Sequence, residues 1–161
     1  EIMSIFDDII NAQAYGTSPY VIPGQYVSVI DEVKIINSSQ RSTKFLIVAV
    51  TNLLVQGSEY QPLSKMSWRN DLGNASGPSN AKGFFEALGA AIYGPDWSGS
   101  SEELRKLLEN ATGEEQEAAG VLIAIDAFHQ KKRDGGNFTK VQFSAPTENQ
   151  TEAAMEIAAT L

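Results

Sequence analysis

Cysteine is absent from the 161 residues, which excludes a disulfide framework and any thiolate metal site and makes an intracellular compartment the simpler reading. Long apolar runs are also missing. The stretches Phe45 to Val50 and Val121 to Ile125 fall far short of the roughly 20 residues that span a bilayer, so no membrane contact is expected. Glu1-Ile2-Met3-Ser4 has neither the basic region nor the apolar core of a signal peptide. The expectation is a cytoplasmic protein, or one of the host-cell cytoplasm if viral, with Met3 as its natural start. Histidine occurs once, as His129, and no HExxH, Walker loop or GxGxxG accompanies it. The glycines of Gly73–Gly77 and Gly94–Gly99 precede no P-loop lysine. Asp31-Glu32 and Glu102-Glu103 are adjacent pairs whose members face different ways, which does not suit a two-metal centre. Glu114, Glu115 and Glu117 read as a solvated acidic patch. A non-enzyme without metal or cofactor is therefore expected.

Hydrophobic residues make up 42% of the chain and charged residues 20%, ordinary globular usage for a chain of one-domain length. One domain over residues 1–146 and a tail over 147–161 are expected. Ile5, Phe6, Ile9 and Ile10 recur at helical spacing behind Ser4, predicting a short N-terminal helix that ends by Gly16 and Pro19. Pro23-Gly24 then turns into a strand over 25–36. Its period-two pattern sets Val27, Val29, Val33 and Ile35 against Tyr26, Ser28, Ile30, Glu32 and Lys34. The β-branched run 43–54 is its hairpin partner, apolar enough for burial on both faces. A third strand is expected near 65–70.

The Gly- and Asn-rich stretch 71–80 is a loop, with Ser79 or Asn80 placed to cap a helix carrying Phe84, Phe85, Leu88 and Ile92 on one stripe. Gly94-Pro95 ends that helix. Ser100 or Ser101 starts another through Leu104, Leu107 and Leu108, closed by Gly113. A strand through Val121, Ile123 and Ile125 runs into Lys131-Lys132-Arg133. Asp134-Gly135-Gly136-Asn137 signals a hairpin, with Phe138–Ser144 returning. With Gly135 and Gly136 as the loop, Arg133 would face Phe138, Lys131 would face Lys140 and Phe128 would face Phe143. The Ala-rich end offers one helical turn around Met155 and Ile157.

Net charge is −8, but it is unevenly spread: +2 over 25–69 and +2 over 120–144, against −6 over 70–119. Local field rather than net charge governs contact with phosphates. The cations on those regions are Lys34, Arg41, Lys44, Lys65, Arg69, Lys131, Lys132, Arg133 and Lys140. Interleaved with them are Tyr26, Tyr60, Trp68, Phe128 and Phe138. Aromatic faces that stack on bases, combined with cations that track a backbone, suit a single-stranded nucleic acid. The plainer alternative makes Phe45, Trp68 and Phe143 core and the tribasic run a solubilising tip that blocks edge pairing.

The order Pro23-Gly24-x-Tyr26, Val33-Lys34, Phe45-Leu46-Ile47-Val48, Trp68, Asn80-x-Lys82-x-Phe84-Phe85 and Gly135-Gly136-x-Phe138-Thr139 resembles phage-type single-stranded DNA-binding proteins of the oligonucleotide/oligosaccharide-binding (OB) fold. The resemblance covers about residues 4–145. It implies a five-stranded β-barrel with helices between strands 3 and 4, and non-sequence-specific binding of single-stranded DNA in replication, recombination or repair. Replication or recombination proteins would be partners, with the oligomeric state open between monomer and dimer. Many such phage proteins recruit partners through a strongly acidic C-terminal tail. Here only Glu148, Glu152 and Glu156 lie beyond residue 145, so either the chain is cut short or recruitment works differently. The other reading of the chain is a protein-interaction or virion structural module that binds no nucleic acid.

Overall fold

A computed structural model describes residues 18–37 and 43–160. The expected N-terminal helix and Arg41 lie outside these residues. Five antiparallel strands form one sheet: β1 (Gly24–Asn37), β2 (Lys44–Gln56), β3 (Lys65–Asp71), β4 (Leu122–Lys131) and β5 (Asn137–Ser144), in the spatial order β3-β2-β1-β4-β5. Two helices, α1 (Gly77–Tyr93) and α2 (Ser101–Thr112), stand between β3 and β4, and α3 (Glu148–Ala158) comes after β5.

The long strands change face part-way. Asp31 is skipped in the β1–β2 ladder, where Ile30 pairs with Val50 and Glu32 with Ala49. Leu53 is skipped on the other side, between the pairs Val27–Leu54 and Ser28–Asn52. Each bulge inverts the in-out phase of the residues beyond it. Tyr26, Ile30 and Val33 therefore share one core, while Val27 belongs with Leu53, Ala124 and Ala154 on the opposite face. The uniform alternation expected for β1 is corrected accordingly: Val27 and Val33 point to different sides.

The main core lies under α1. Phe84 and Leu88 are fully buried and Phe85 nearly so, in keeping with the stripe visible in the sequence. Complete burial of Phe84 alone removes enough apolar surface for about 1.5–3 kcal/mol. The helix begins earlier than expected, after Ser76 and with Pro78 in its first turn, rather than at a Ser79 or Asn80 cap. Gly77 allows this start. A Cβ there would sit 2.0 Å from the Asp71 carbonyl oxygen, and the Asn70 amide donates to the Gly77 carbonyl at 2.8 Å. For α2 the Ser100 side chain accepts from the Glu103 N–H at 3.3 Å, and Glu102 and Glu103 complement the helix N-terminus.

The C-terminal segment is more than one turn. Thr147 and Gln150 form a reciprocal capping box, and the 11-residue α3 lays Ala154 and Ile157 on the second face of the sheet. That helix is part of the folded unit.

The sheet is open. Among the described residues no ladder joins its edge strands β3 and β5. The β3 edge is instead met by a strap of preceding chain: the Ser67 N–H donates to the Pro19 carbonyl at 2.9 Å, and the Val21 N–H donates to the Ser67 carbonyl at 3.2 Å. Side chains span the remaining gap. Phe143 of β5 meets Trp68 of β3 edge-on, ring centroids 4.8 Å apart, and meets Phe84 at 4.9 Å.

Candidate nucleic-acid interface

The two sheet edges that fail to pair leave a groove of about 470 Å³ between them. One wall carries Tyr20 from the strap and Arg69 from β3. The other carries Phe138 and Lys140 from β5, and Asn74 and Asn80 contribute amides from the loop before α1 and from its first turns. Tyr20 and Phe138 are each 39% exposed.

The strap is held by a relay of hydroxyls. Ser58 Oγ lies 2.7 Å from the Tyr26 hydroxyl and accepts from the Tyr60 N–H at 3.1 Å. The Tyr60 hydroxyl in turn donates to the Tyr20 carbonyl at 2.7 Å. Burial pushes the Tyr20 hydroxyl above the ordinary tyrosine pKa, and the Arg69 guanidinium partly offsets this. Tyr20 stays neutral beside a cation.

Beyond the groove the β4–β5 hairpin projects as an arm in which every residue from Phe128 to Phe138 is exposed. Its register differs from the expected one: Phe128 pairs with Lys140, Gln130 with Phe138 and Lys131 with Asn137. Five residues rather than two make the loop. Lys132 N–H donates to the Gly136 carbonyl at 2.6 Å, and Asp134 Oδ1 accepts from the Gly136 N–H at 2.9 Å, with Gly135 at φ 90° supplying the left-handed step. Opposed residues share a face, so Phe128, Phe138 and Lys140 lie together, with the Lys132 ammonium 6.0 Å from the Phe138 ring centre.

Of the residues expected to bind, Arg69, Phe138 and Lys140 meet at the groove, and Phe128, Lys131, Lys132 and Arg133 stand on the arm that continues it. Two aromatics are corrected. Tyr26 is 2% exposed with its hydroxyl committed to the Ile22 carbonyl and Ser58, and Trp68 is 5% exposed among Phe84 and Phe143. Neither has a ring face to offer a base; Trp68 only reaches the groove floor. Tyr60 is half-buried and positions the strap. Lys65 is drawn to Asp31 at 3.4 Å and Lys34 to Glu32 at 3.1 Å, both on the bulged part of the sheet, while Lys44 is exposed at the start of β2. These three do not line the groove. Tyr20, Asn74 and Asn80 are functional candidates that sequence reasoning missed. Tyr20 sits between Pro19 and Pro23, in a stretch that reads only as the end of a helix and a turn.

No protein-family model matches the chain, and no curated protein matches it significantly. Among the described residues no helix is long and apolar enough to cross a membrane.

Proposed function

We propose that the protein binds single-stranded DNA without sequence preference, along the groove between β3 and β5 and onto the arm of the β4–β5 hairpin, as a non-enzymatic component of DNA replication, recombination or repair. The observation that carries this reading is the convergence of two exposed rings, Tyr20 and Phe138, with two cations, Arg69 and Lys140, along one groove. Stacking supplies about 1–3 kcal/mol per base, and phosphate contact adds a salt-dependent term from counterion release. The amides of Asn74 and Asn80 can hydrogen-bond to sugars and base edges without demanding one sequence.

The strand path supports an OB-like barrel as the underlying architecture. In that reading β3 and β5 are the two sides of the last seam, and the groove is the seam left unzipped, with helices filling the interval between strands 3 and 4. Fluorescence titration with an oligo-dT of about 30 nucleotides at low salt tests the function, since Trp68 reaches the groove floor. Saturable quenching with a matching mobility shift is expected. Absence of both would overturn the proposal.

A further inference from the structure

A second groove, of about 740 Å³, lies where α1, the start of β4 and α3 meet. Its floor is apolar, with Ile92, Val121, Leu122 and Pro146, and the Met155 side chain stands at its side 60% exposed. The segments that build it, residues 90–95, 120–122 and 145–155, contain no lysine or arginine. Carboxylates are present instead. Glu152 and Glu156 flank Met155 on exposed positions of α3, Asp96 comes directly after the lining Pro95, and Glu117 accepts a 2.6 Å hydrogen bond from the hydroxyl of the exposed Tyr93 at the end of α1. An apolar trough in a negative field suits an apolar segment that carries positive charge.

One described element of the chain has that chemistry. The β4–β5 arm presents Phe128 and Phe138 with Lys131, Lys132 and Arg133 at its tip, and no ion pair engages those three cations among the described residues. We infer that the acid-rimmed groove receives the hairpin arm of a second copy of this chain. Arm and groove are different surfaces of one chain, so each copy can donate its arm and receive another's, reciprocally in a pair or head to tail along a row. Opposite charges steer the encounter and make it sensitive to salt. A hairpin tip is a small contact, so the association is weak and concentration-dependent. The arm is also part of the nucleic-acid surface proposed above, and an oligonucleotide would compete with the neighbouring copy for it. Association of copies does not itself depend on DNA binding.

Sedimentation velocity of the full chain without nucleic acid is the test, so its failure is separable from failure of DNA binding. At low salt the sedimentation coefficient should rise with concentration across the micromolar range, and high salt should return it to the monomer value. Lys131→Glu/Lys132→Glu/Arg133→Glu and, separately, Glu152→Lys/Glu156→Lys should each stay monomeric, because each opposes like charges. An equimolar mixture of the two variants should associate again, since each then meets a complementary surface. All five positions are exposed, and unchanged circular dichroism would confirm the folds. A monomeric wild type at every concentration, association that survives either reversal, or a mixture that fails to associate would each overturn the inference.

Discussion

Replacing Phe143 by alanine removes the ring that ties the two unpaired sheet edges together. Phe143 makes edge-on contacts with Trp68 at 4.8 Å and with Phe84 at 4.9 Å. Each such pair contributes about 0.5–1.5 kcal/mol beyond area burial, so the two together account for about 2 kcal/mol. The side chain is half-buried, which places the whole cost, ring pairs included, at the low end of the Phe→Ala range. Phe143→Ala should therefore destabilise by about 3 kcal/mol, a fall in Tm of roughly 9 °C for a domain of this size. Urea denaturation monitored by circular dichroism measures the first and calorimetry the second. Gln142→Ala, exposed on the same strand, is the control and should change little. A loss below about 1 kcal/mol for Phe143→Ala would refute the argument that packed rings, in place of a backbone ladder, hold β5 against β3.

Five cations, Arg69, Lys131, Lys132, Arg133 and Lys140, give an expected salt slope of about −3.5 for single-stranded binding, and reversing the three at the tip should flatten it to about −1.4. An unchanged slope in oligonucleotide titrations would clear the tip of phosphate contact. Gln116 pairs with both backbone groups of Val33, accepting at 3.0 Å and donating at 2.9 Å, so Gln116→Ala should cost about 1–3 kcal/mol in urea denaturation. At Gly89 a Cβ would fall 2.3 Å from the Trp97 ring. Trp97 stacks on Tyr93 with ring centroids 6.1 Å apart, so Gly89→Ala should push the two rings apart, seen as altered tryptophan emission, despite alanine's better helix propensity. Burial raises the hydroxyl pKa of Tyr20, Tyr26 and Tyr60. A raised folded-state value favours the protonated form, so its stabilisation is intact below the ordinary tyrosine pKa of about 10 and fades as pH climbs through the higher folded value. The urea midpoint should fall above about pH 10, and less steeply in Tyr26→Phe.

Much of the strand and helix order was legible because the sequence carries strong periods: the β-branched run of β2, the Phe84-Phe85-Leu88 stripe of α1, and glycines at Gly94 and Gly113 where the helices stop. Phase was harder to read. Nothing local marks Asp31 as the skipped residue, and that one omission decides which face Val33 occupies. The hairpin signal at Asp134-Gly135-Gly136 was genuine, yet the Asp134 side chain satisfies the turn in a way that lengthens the loop and moves the register by three residues. Thr147 and Gln150 spell a capping box that an Ala-rich composition hid. At the site the cations of β5 and the arm were readable as a patch. Which aromatics face solvent depends on tertiary packing: Trp68 and Tyr26 are claimed by the core, whereas Tyr20 becomes prominent only because residues 19–21 are stitched to Ser67.

That stitching bears on how the protein survives at high concentration. An exposed strand edge is a template on which any extended chain can add, the usual first step towards fibrils. Here the centre of the β3 edge is already engaged, because both backbone groups of Ser67 bond to the strap and Pro19 brings no N–H of its own. Shortening the chain ahead of Tyr20 would uncover that edge. The expected defect is slow aggregation of otherwise folded protein, opposed only by the charges that β3 itself carries: Lys65 and Arg69 on either side of Ser67, and Asp71 at the strand's end.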